Sequence, residues 1–279
     1  MRFAKYDALG NDYLVLTDAP ALTPALAAAL CDRHHGVGGD GVLVEAPAGP
    51  GEVAALRIFN PDGSEAEKSG NGLRIFARAL WDAGRVTTGV AFALGTRGGR
   101  VRCVVHEGGG SVFIEMGRAS FDSARVPVAG PAREVVDEAL DVAGESLRVT
   151  AVTLGNPHCV VLSPALSAAL AHRLGSALET HPHFPNRTNV QFVQVIDRHS
   201  LRIEIWERGA GYTLASGSSS CAAAAACVRL GVCDPGPLTV EMPGGMLRIG
   251  VGADFALTLE GAVRAVCHGE VAPDWQPSA

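Results

Sequence analysis

Two stretches far apart in the chain share one local pattern, a Ser-Gly pair directly before a helical segment. Residues 67–74 read EKSGNGLR and residues 214–221 read LASGSSSC. Each follows a polar segment that carries glutamate, and segments rich in β-forming residues lie on both sides. This matched context predicts a duplicated domain in which the two turns are related by a pseudo-twofold axis.

Most of the remaining chain reads as short strands separated by turns. Segments of β-forming residues are punctuated by glycine-rich stretches at 98–100, 107–111 and 242–246, which indicate hairpin turns. The predicted strands are Tyr13–Thr17, Gly41–Glu45, Val53–Asn60, Arg100–Glu107, Ser111–Met116, Ser146–Leu154, Val190–Asp197, Leu201–Glu207, Pro237–Met242, Gly245–Val251 and Phe255–Glu260.

Only a few segments read as helices. Thr23 can cap a helix with Pro24 at its first position, and Gly84 and Gly231 can end two others. The predicted helices are Pro24–His34, Asn71–Ala83, Ala165–Leu178 and Ser219–Leu230. The segment Val126–Glu145 contains prolines and is predicted to be a linker with a single helical turn.

Composition excludes several classes of protein. Hydrophobic residues make up 47% and charged residues 19%, which is enough apolar material for a core. The net charge of −6 lacks the basic surplus of a nucleic-acid-binding surface. The N-terminus has no signal-peptide core and no apolar run reaches the roughly 18 residues of a membrane helix, so we expect a cytoplasmic protein. Seven cysteines without a CxxC pair predict reduced, mostly buried thiols and no metal site.

The two turns have a chemistry that suits an anionic ligand. A helix N-terminus presents unpaired N–H groups and positive dipole character, and glycine lets a ligand approach the backbone. Two such ends facing each other would hold one carboxylate. The alternative interpretation is that Ser69 and Ser216 are ordinary N-caps.

Further polar residues beside apolar strands favour the ligand interpretation. Amides and arginine recognise a carboxylate, while glutamate and amide oxygens recognise an ammonium group, so the set suits a zwitterion. The residues are Asn11, Asn60, Asn156, His158, Asn189, Glu207 and Arg208.

In these motifs the chain resembles the diaminopimelate epimerase family. KYDALGNDYLVL, RHHGVGGDG, FNPDGSEAEKSGNGLRIFA, GNPHCV, RTNVQFV and ERGAGYTLASGSSSCAAAA follow the family's order over nearly the whole chain. The resemblance implies an α+β fold of two pseudo-symmetric lobes, each a β-barrel around a central helix, with the site in the cleft between them. The first lobe would span 1–117, completed by 265–279, and the second 118–264.

The resemblance also implies a cofactor-free isomerase that interconverts LL- and meso-diaminopimelate, a precursor of lysine and peptidoglycan. Asn60, Asn156, Asn189 and Arg208 would hold the distal end of this substrate, and Asn11 would line the site. The N–H groups of Gly70, Asn71, Gly217 and Ser218 would bind the reacting carboxylate. His158 and Glu207 would tune the acid–base pair, whose positions are occupied by Ser69 and Ser216.

The two serines depart from the family, which has cysteine at both positions. A cysteine thiol titrates near pH 8.5, whereas a serine hydroxyl is a far weaker acid and acts only with an adjacent base. The sequence therefore predicts a poor epimerase by the family's mechanism. Tyr212 also stands where the family usually has glutamate, and Gly41 where some members have glutamine.

Four interpretations stay open on the residues alone. The chain could be an epimerase whose serines are activated by His158 and Glu207, or a one-base isomerase, dehydratase or tautomerase that uses one of those two residues. It could be a non-catalytic amino-acid-binding paralogue, or a protein with both cysteines replaced to trap a complex. The expected partner is a small amino acid rather than nucleic acid or membrane. A homodimer is compatible with the sequence, which does not determine the oligomeric state.

Overall fold

The computed structural model describes residues 1–16 and 22–276. Within them the chain is a sheet-rich mixed fold of 18 strands and four α-helices, divided into two compact units. One unit comprises Met1–Glu115 with Glu260–Ala279, and the other Met116–Leu259. The sequence placed these boundaries at 117/118 and 264/265. No helix in the described part of the chain is long and apolar enough to cross a membrane.

The elements are as follows. The strands wholly within the first unit are β1 (Arg2–Ala8), β2 (Asn11–Leu16), β3 (Val42–Ala46), β4 (Ala54–Phe59), β5 (Glu65–Ala66), β6 (Phe92–Gly95), β7 (Val101–Val105) and β18 (Arg264–Glu270); its helices are α1 (Pro24–Cys31) and α2 (Gly70–Asp82). The strands wholly within the second are β9 (Glu138–Val142), β10 (Glu145–Thr153), β11 (Pro157–Leu162), β12 (Asn189–Asp197), β13 (Ser200–Glu207), β14 (Gly211–Thr213), β15 (Gly236–Met242) and β16 (Gly245–Val251); its helices are α3 (Ala168–Glu179) and α4 (Gly217–Arg229). Strands β8 (Ser111–Arg118) and β17 (Ala256–Ala262) each contain a unit boundary.

The two units share one order of strand pairing. In the first, β2 pairs antiparallel with β1 and parallel with β3, and β4 pairs antiparallel with β3 and β5 but parallel with β6. In the second, β11 pairs in the same senses with β10 and β12, and β13 with β12, β14 and β15. The helices also fall at matching points of the two sequences of elements. This shared topology agrees with the duplication predicted from the repeated turns.

Helices α2 and α4 begin and end in the same way. Ser69 caps α2 with φ −139° and ψ 122°, and Ser216 caps α4 with φ −146° and ψ 122°. Both helices have 13 residues and end at a glycine with positive φ, Gly84 at 69° and Gly231 at 72°. At each end the next two N–H groups turn back to the last carbonyls, which is the Schellman arrangement. Both helices are therefore delimited by local sequence signals.

Small side chains let α4 lie deep in the second unit. Residues 222–226 are all alanine, and each is fully buried. Its strand neighbours include β10, β12 and β16. A buried helix surrounded by backbone needs small residues because interiors are close-packed.

Each predicted strand coincides with an observed strand to within two residues, although Thr17 lies outside the described residues. The four predicted helices are also present, with α1 ending at Cys31 and α3 beginning at Ala168. The short strands β5, β6 and β14, and the longer β1, β9, β11 and β18, were not predicted. Six of the seven cysteines are buried and Cys267 is exposed.

The prediction of a linker over Val126–Glu145 was wrong for the second half of this segment. Its second half forms β9, which pairs with β10 through a two-residue turn at Ala143 and Gly144. Their φ angles are 49° and 84°, and two successive positive φ values are what a tight hairpin turn requires. The hairpin satisfies backbone groups that a linker would leave to water.

Candidate functional site

In the first unit the candidate polar residues meet at one edge of the sheet. Strands β2 and β3 are parallel, so their N-terminal ends lie together, and β4 runs back so that Phe59 pairs with Val42. Asn11 begins β2 and Asn60 directly follows β4. The strand directions therefore bring the two asparagines to the same edge.

A chain of hydrogen bonds ties Asn11 to the first turn of α2. The Asn71 side-chain amide donates to Oδ1 of Asn11 at 2.9 Å, and the Asn11 amide donates to Oδ2 of Asp40 at 2.9 Å. The guanidinium of Arg74, which is fully buried, donates to Oδ1 of Asn71 at 2.9 Å. As the first residues of the helix, Gly70 and Asn71 have backbone N–H groups without a partner inside it. The network holds the side chains and leaves that backbone for a ligand.

Ser69 contacts a phenol as well as its helix. Its Oγ accepts the N–H of Gly72 at 3.0 Å and lies 3.5 Å from the hydroxyl of Tyr13. A Cβ at Gly41 would lie 2.5 Å from both Cε1 of Tyr13 and the carbonyl oxygen of Phe59. Glycine at position 41 thus leaves the space in which the Tyr13 ring lies.

Asn60 forms a turn of its own. Its side chain donates to Oγ of Ser64 at 3.0 Å, and its backbone N–H donates to the Ser64 carbonyl at 2.8 Å. The structure therefore places Asn60 directly after β4 and engages its amide within the β4–β5 turn.

In the second unit Asn189 joins two segments of the candidate site. Its side-chain amide donates to the Pro157 carbonyl at 2.8 Å, and its Oδ1 accepts the backbone N–H of Arg208 at 3.0 Å. Asn189 pairs with His158 in the parallel β11–β12 ladder. The structure thus brings together three residues that the sequence predicted, and Arg208 also donates from its guanidinium to the Asn186 carbonyl.

His158 is completely buried, and its pKa is lowered to about 3. Burial is the main cause of this lowering. The hydrogen bond with the Gln191 side chain raises the pKa, and the charge of Arg208 lowers it further. Nε2 lies 3.1 Å from Oδ1 of Asn156, and this contact is a hydrogen bond in the tautomer that carries the proton on Nε2. Nδ1 makes no hydrogen bond among residues 1–16 and 22–276. His158 is neutral at physiological pH, and neither ring nitrogen bonds to Ser216.

Ser216 lies in a cluster of hydroxyl groups at the tip of α4. Its Oγ accepts the N–H of Ser219 at 3.5 Å, and its carbonyl accepts the hydroxyl of Ser220 at 2.9 Å. Gln191 donates to the Ser219 hydroxyl at 3.0 Å. Gly217 and Ser218 begin the helix, so their N–H groups are open in the same way as those at the tip of α2.

The Glu207–Arg208 turn ends β13, where Glu207 pairs with Gly211 of β14. Tyr212 follows in β14, and its hydroxyl donates to Oε2 of Glu204 at 2.7 Å. Burial and this carboxylate raise the pKa of Tyr212 to about 12. The phenol at the position where the family usually has glutamate is therefore neutral and already engaged.

The sequence analysis did not identify three residues that contact the candidate site or the segments beside it, namely Tyr13, Gln191 and Glu179. Tyr13 and Gln191 lie within quoted motifs, and Gln191 shares the strand face of Asn189 by the two-residue period, so both carried a signal. Glu179 ends α3 as one more glutamate on a helix. No local pattern distinguishes it.

Comparison with known proteins matches the sequence of the chain to one family. The sequence model of the family described as diaminopimelate epimerase matches residues 3–121 and 150–266. The chain is 48% identical to diaminopimelate epimerase 2 of Nostoc sp. (strain PCC 7120) over 98% of this chain and 96% of that protein. It is 43% identical to diaminopimelate epimerase of Synechococcus sp. (strain JA-3-3Ab) over 89% and 90%. A probable proline racemase from Agrobacterium radiobacter K84 shares the fold, with a TM-score of 0.72, 17% identity, and coverage of 98% and 93%.

Proposed function

Because the chain belongs to the diaminopimelate epimerase family of isomerases, we propose that it is a cofactor-independent amino-acid isomerase that interconverts LL- and meso-diaminopimelate. The observation that carries this proposal is the paired construction of α2 and α4. Each begins with a Ser cap followed by two residues whose backbone N–H groups have no partner inside the helix. A side-chain amide is held at each tip, Asn71 by Asn11 at α2 and Gln191 by Ser219 at α4. Each unit is, in this proposal, a β-barrel around its central helix.

The substrate's charged groups would be bound by different parts of the site. The N–H groups of Gly70, Asn71, Gly217 and Ser218 would bind the α-carboxylate, since helix N-termini favour anions. The distal carboxylate and ammonium groups would be held by Asn60, Asn156, Asn189 and Arg208, with Asn11 placing the Asn71 side chain. We expect the ligand to be a small cytoplasmic amino acid, with neither nucleic acid nor a membrane as a partner.

Ser69 and Ser216 occupy the acid–base positions, and we expect slow proton transfer there. The hydroxyl of each is held by a backbone N–H, which stabilises an oxyanion but does not remove a proton. A serine needs an adjacent base. The Ser69 hydroxyl lies 3.5 Å from the phenol hydroxyl of Tyr13, which is not a basic group.

A second candidate function is supported by Nδ1 of His158, which makes no hydrogen bond within the described residues. A one-base isomerase, dehydratase or tautomerase would use Glu207 or His158 in place of the serines, although the lowered pKa of the buried His158 makes its imidazole a weak base at neutral pH. Glu207 at the end of β13 would assist in either mechanism. The two candidates differ in how many faces of the substrate exchange hydrogen.

Solvent deuterium incorporation separates these functions. Incubation of LL- and meso-diaminopimelate in deuterium oxide, followed by mass spectrometry and chiral separation, should show label in both isomers. Label at one face of another amino acid, with none in diaminopimelate, would favour the one-base enzyme. No label, together with a raised melting temperature in the presence of diaminopimelate, would instead identify a binding protein and contradict both enzyme functions.

A further inference from the structure

One buried carboxylate outside the proposed site accepts hydrogen bonds from two segments around it. Glu179 is 3% exposed at the end of α3. Its Oε2 accepts the indole N–H of Trp206 at 2.7 Å, and its Oε1 accepts the backbone N–H of Gly209 at 2.7 Å. The guanidinium of Arg187 also donates to Oε1. Three donors from two segments, residue 187 and residues 206–209, therefore converge on one carboxylate.

Two of these donors enclose the Glu207–Arg208 turn. Trp206 directly precedes Glu207 and Gly209 directly follows Arg208, so Glu179 holds the chain on both sides of the pair. The hydrogen bond to Trp206 involves its side chain, whereas the bond to Gly209 involves the backbone of the turn itself. The carboxylate thus fixes where the turn begins and where it returns.

The same glutamate anchors the segment that leads into Asn189. Its backbone carbonyl accepts the N–H of Thr188 at 3.1 Å, and its side chain holds Arg187. Asn189 in turn accepts the N–H of Arg208 at 3.0 Å. Glu179 therefore bonds to the residue next to each partner of the Asn189–Arg208 contact, Thr188 on one side and Gly209 on the other.

The position requires a carboxylate rather than an amide. Each carboxylate oxygen accepts hydrogen bonds, whereas glutamine has one accepting oxygen and an NH₂ group that would face a donor. A buried charge is tolerated here because three donors satisfy it. The approach of Trp206 also depends on Gly175 of α3, where a Cβ would lie 2.6 Å from Cγ of the indole.

We propose that Glu179 is a positioning residue that aligns Asn189 with the Glu207–Arg208 turn and thereby sets affinity for the second polar end of the substrate. This inference rests on the proposed function, in which Asn189 and Arg208 bind that end. Glu179 itself does not touch the substrate.

The first test measures positioning without any ligand. The chain has three tryptophans, so the indole N–H region of a ¹H–¹⁵N spectrum is simple to assign. In Glu179→Gln we expect the Trp206 indole signal to shift and the Gly209 amide to exchange with solvent at least tenfold faster. The control is Glu145→Gln, which removes the exposed ion pair between Glu145 of β10 and Arg173 of α3. It should leave the Trp206 indole signal and the Gly209 exchange rate unchanged. Unchanged signals in Glu179→Gln would overturn the proposal.

The second test measures specificity by titration calorimetry with LL-diaminopimelate and with 2-aminobutyrate, which lacks the distal amino acid group. Glu179→Gln should weaken binding of the first ligand about tenfold or more, the scale of one lost hydrogen bond to a charged group, and leave the second unchanged. Equal weakening of both ligands would contradict the inference.

Two further results separate this inference from the proposed function. If the wild-type protein binds no diaminopimelate, the proposed function fails, while the spectra still decide whether Glu179 orders the turn. If Glu179→Gln does not fold, Arg187→Gln serves instead, because the Arg187 side chain is 51% exposed. This milder variant should show the same ligand preference with a loss of about threefold, and equal losses for both ligands would overturn the inference.

Discussion

The Oγ atom of Ser69 lies 3.0 Å from the backbone nitrogen of Gly72 and accepts its N–H. Ser216 makes the equivalent bond in α4, and Ser167 makes it at the start of α3 with Leu170. A cap hydrogen bond alone therefore does not distinguish a candidate catalytic serine from an ordinary N-cap. Ser167, which no site motif contains, is the matched control for both.

Replacing the capping serines separates stability from function. Ser69→Ala, Ser216→Ala and Ser167→Ala should each lower the free energy of unfolding by about 1 kcal/mol, because each loses one cap hydrogen bond. Urea denaturation measures this loss. Solvent deuterium incorporation should fall in Ser69→Ala and Ser216→Ala and remain at the wild-type rate in Ser167→Ala. Equal rates of deuterium incorporation in all three variants would show that Ser69 and Ser216 act only as helix caps.

Introducing cysteine at the two positions should raise the rate of α-proton exchange. A thiol titrates near 8.5, and a helix N-terminus lowers that value, so Ser69→Cys with Ser216→Cys supplies an acid–base pair that the hydroxyls do not. We expect label from deuterium oxide to enter both isomers of diaminopimelate at least tenfold faster than in the wild type. Ser167→Cys should have no effect. A double variant that folds and binds the substrate but exchanges no faster would show that the rest of the site is not competent.

The buried His158 should make stability depend on pH. Its folded pKa is about 3, whereas the unfolded value is about 6.5. Above pH 6.5 the His158 ring is neutral in both the folded and the unfolded protein. As the pH falls below that value, the ring becomes protonated in the unfolded state but stays neutral in the folded state. The free energy of unfolding should therefore fall by about 1.4 kcal/mol between pH 7.5 and 5.5 through this residue. Urea unfolding of His158→Asn should lack that component, while His199→Gln, at an exposed position, should retain it.

The contact of Gly41 with Tyr13 predicts a steric effect. Gly41→Ala places a Cβ 2.5 Å from both the Tyr13 ring and the Phe59 carbonyl oxygen, so we expect a loss of about 1–3 kcal/mol in the free energy of unfolding. Gly110→Ala is the control, since a Cβ there meets nothing within 4 Å; its effect should stay within about 0.5 kcal/mol. In a Tyr13→Ala background the same Gly41→Ala change should cost less than in the wild type but still destabilise, because the Phe59 carbonyl remains. No cost in that background would assign the whole effect to the ring.

Local signals explain which parts of the fold were predictable. Helices α2 and α4 were located because a serine cap and a terminal glycine delimit each, and both signals act over a few residues. Strand β9 was missed because its register depends on pairing with β10 through a turn in which Ala143 adopts positive φ, and alanine gives no sign of that. Such pairing is a tertiary effect that overrides local preference.

The residues of the candidate site likewise fall into those that local sequence signals identify and those that they do not. Motifs identified Asn189 and Arg208, which the structure joins directly, and they placed Ser69 and Ser216 at helix tips. They could not identify Glu179, because its role comes from segments that converge on it from elsewhere in the chain. Convergence of this kind leaves no mark in the local sequence.

The hydrogen bonds of Asn11 lead to a prediction that tests the first-unit network as a unit. Asn11 accepts from Asn71 and donates to Asp40 at 2.9 Å, so Asn11→Asp replaces the donor with a second carboxylate beside Asp40. We expect a loss of about 2 kcal/mol in the free energy of unfolding at pH 7, because like charges at this distance repel and one hydrogen bond is lost. Protonation of the introduced carboxyl removes the repulsion, so the deficit should shrink in acidic solution. Adding Asp40→Asn restores a donor opposite the new carboxylate and should recover most of the stability at pH 7. Urea denaturation of the single and double variants measures the coupling, and additive losses would show that Asn11 and Asp40 act independently.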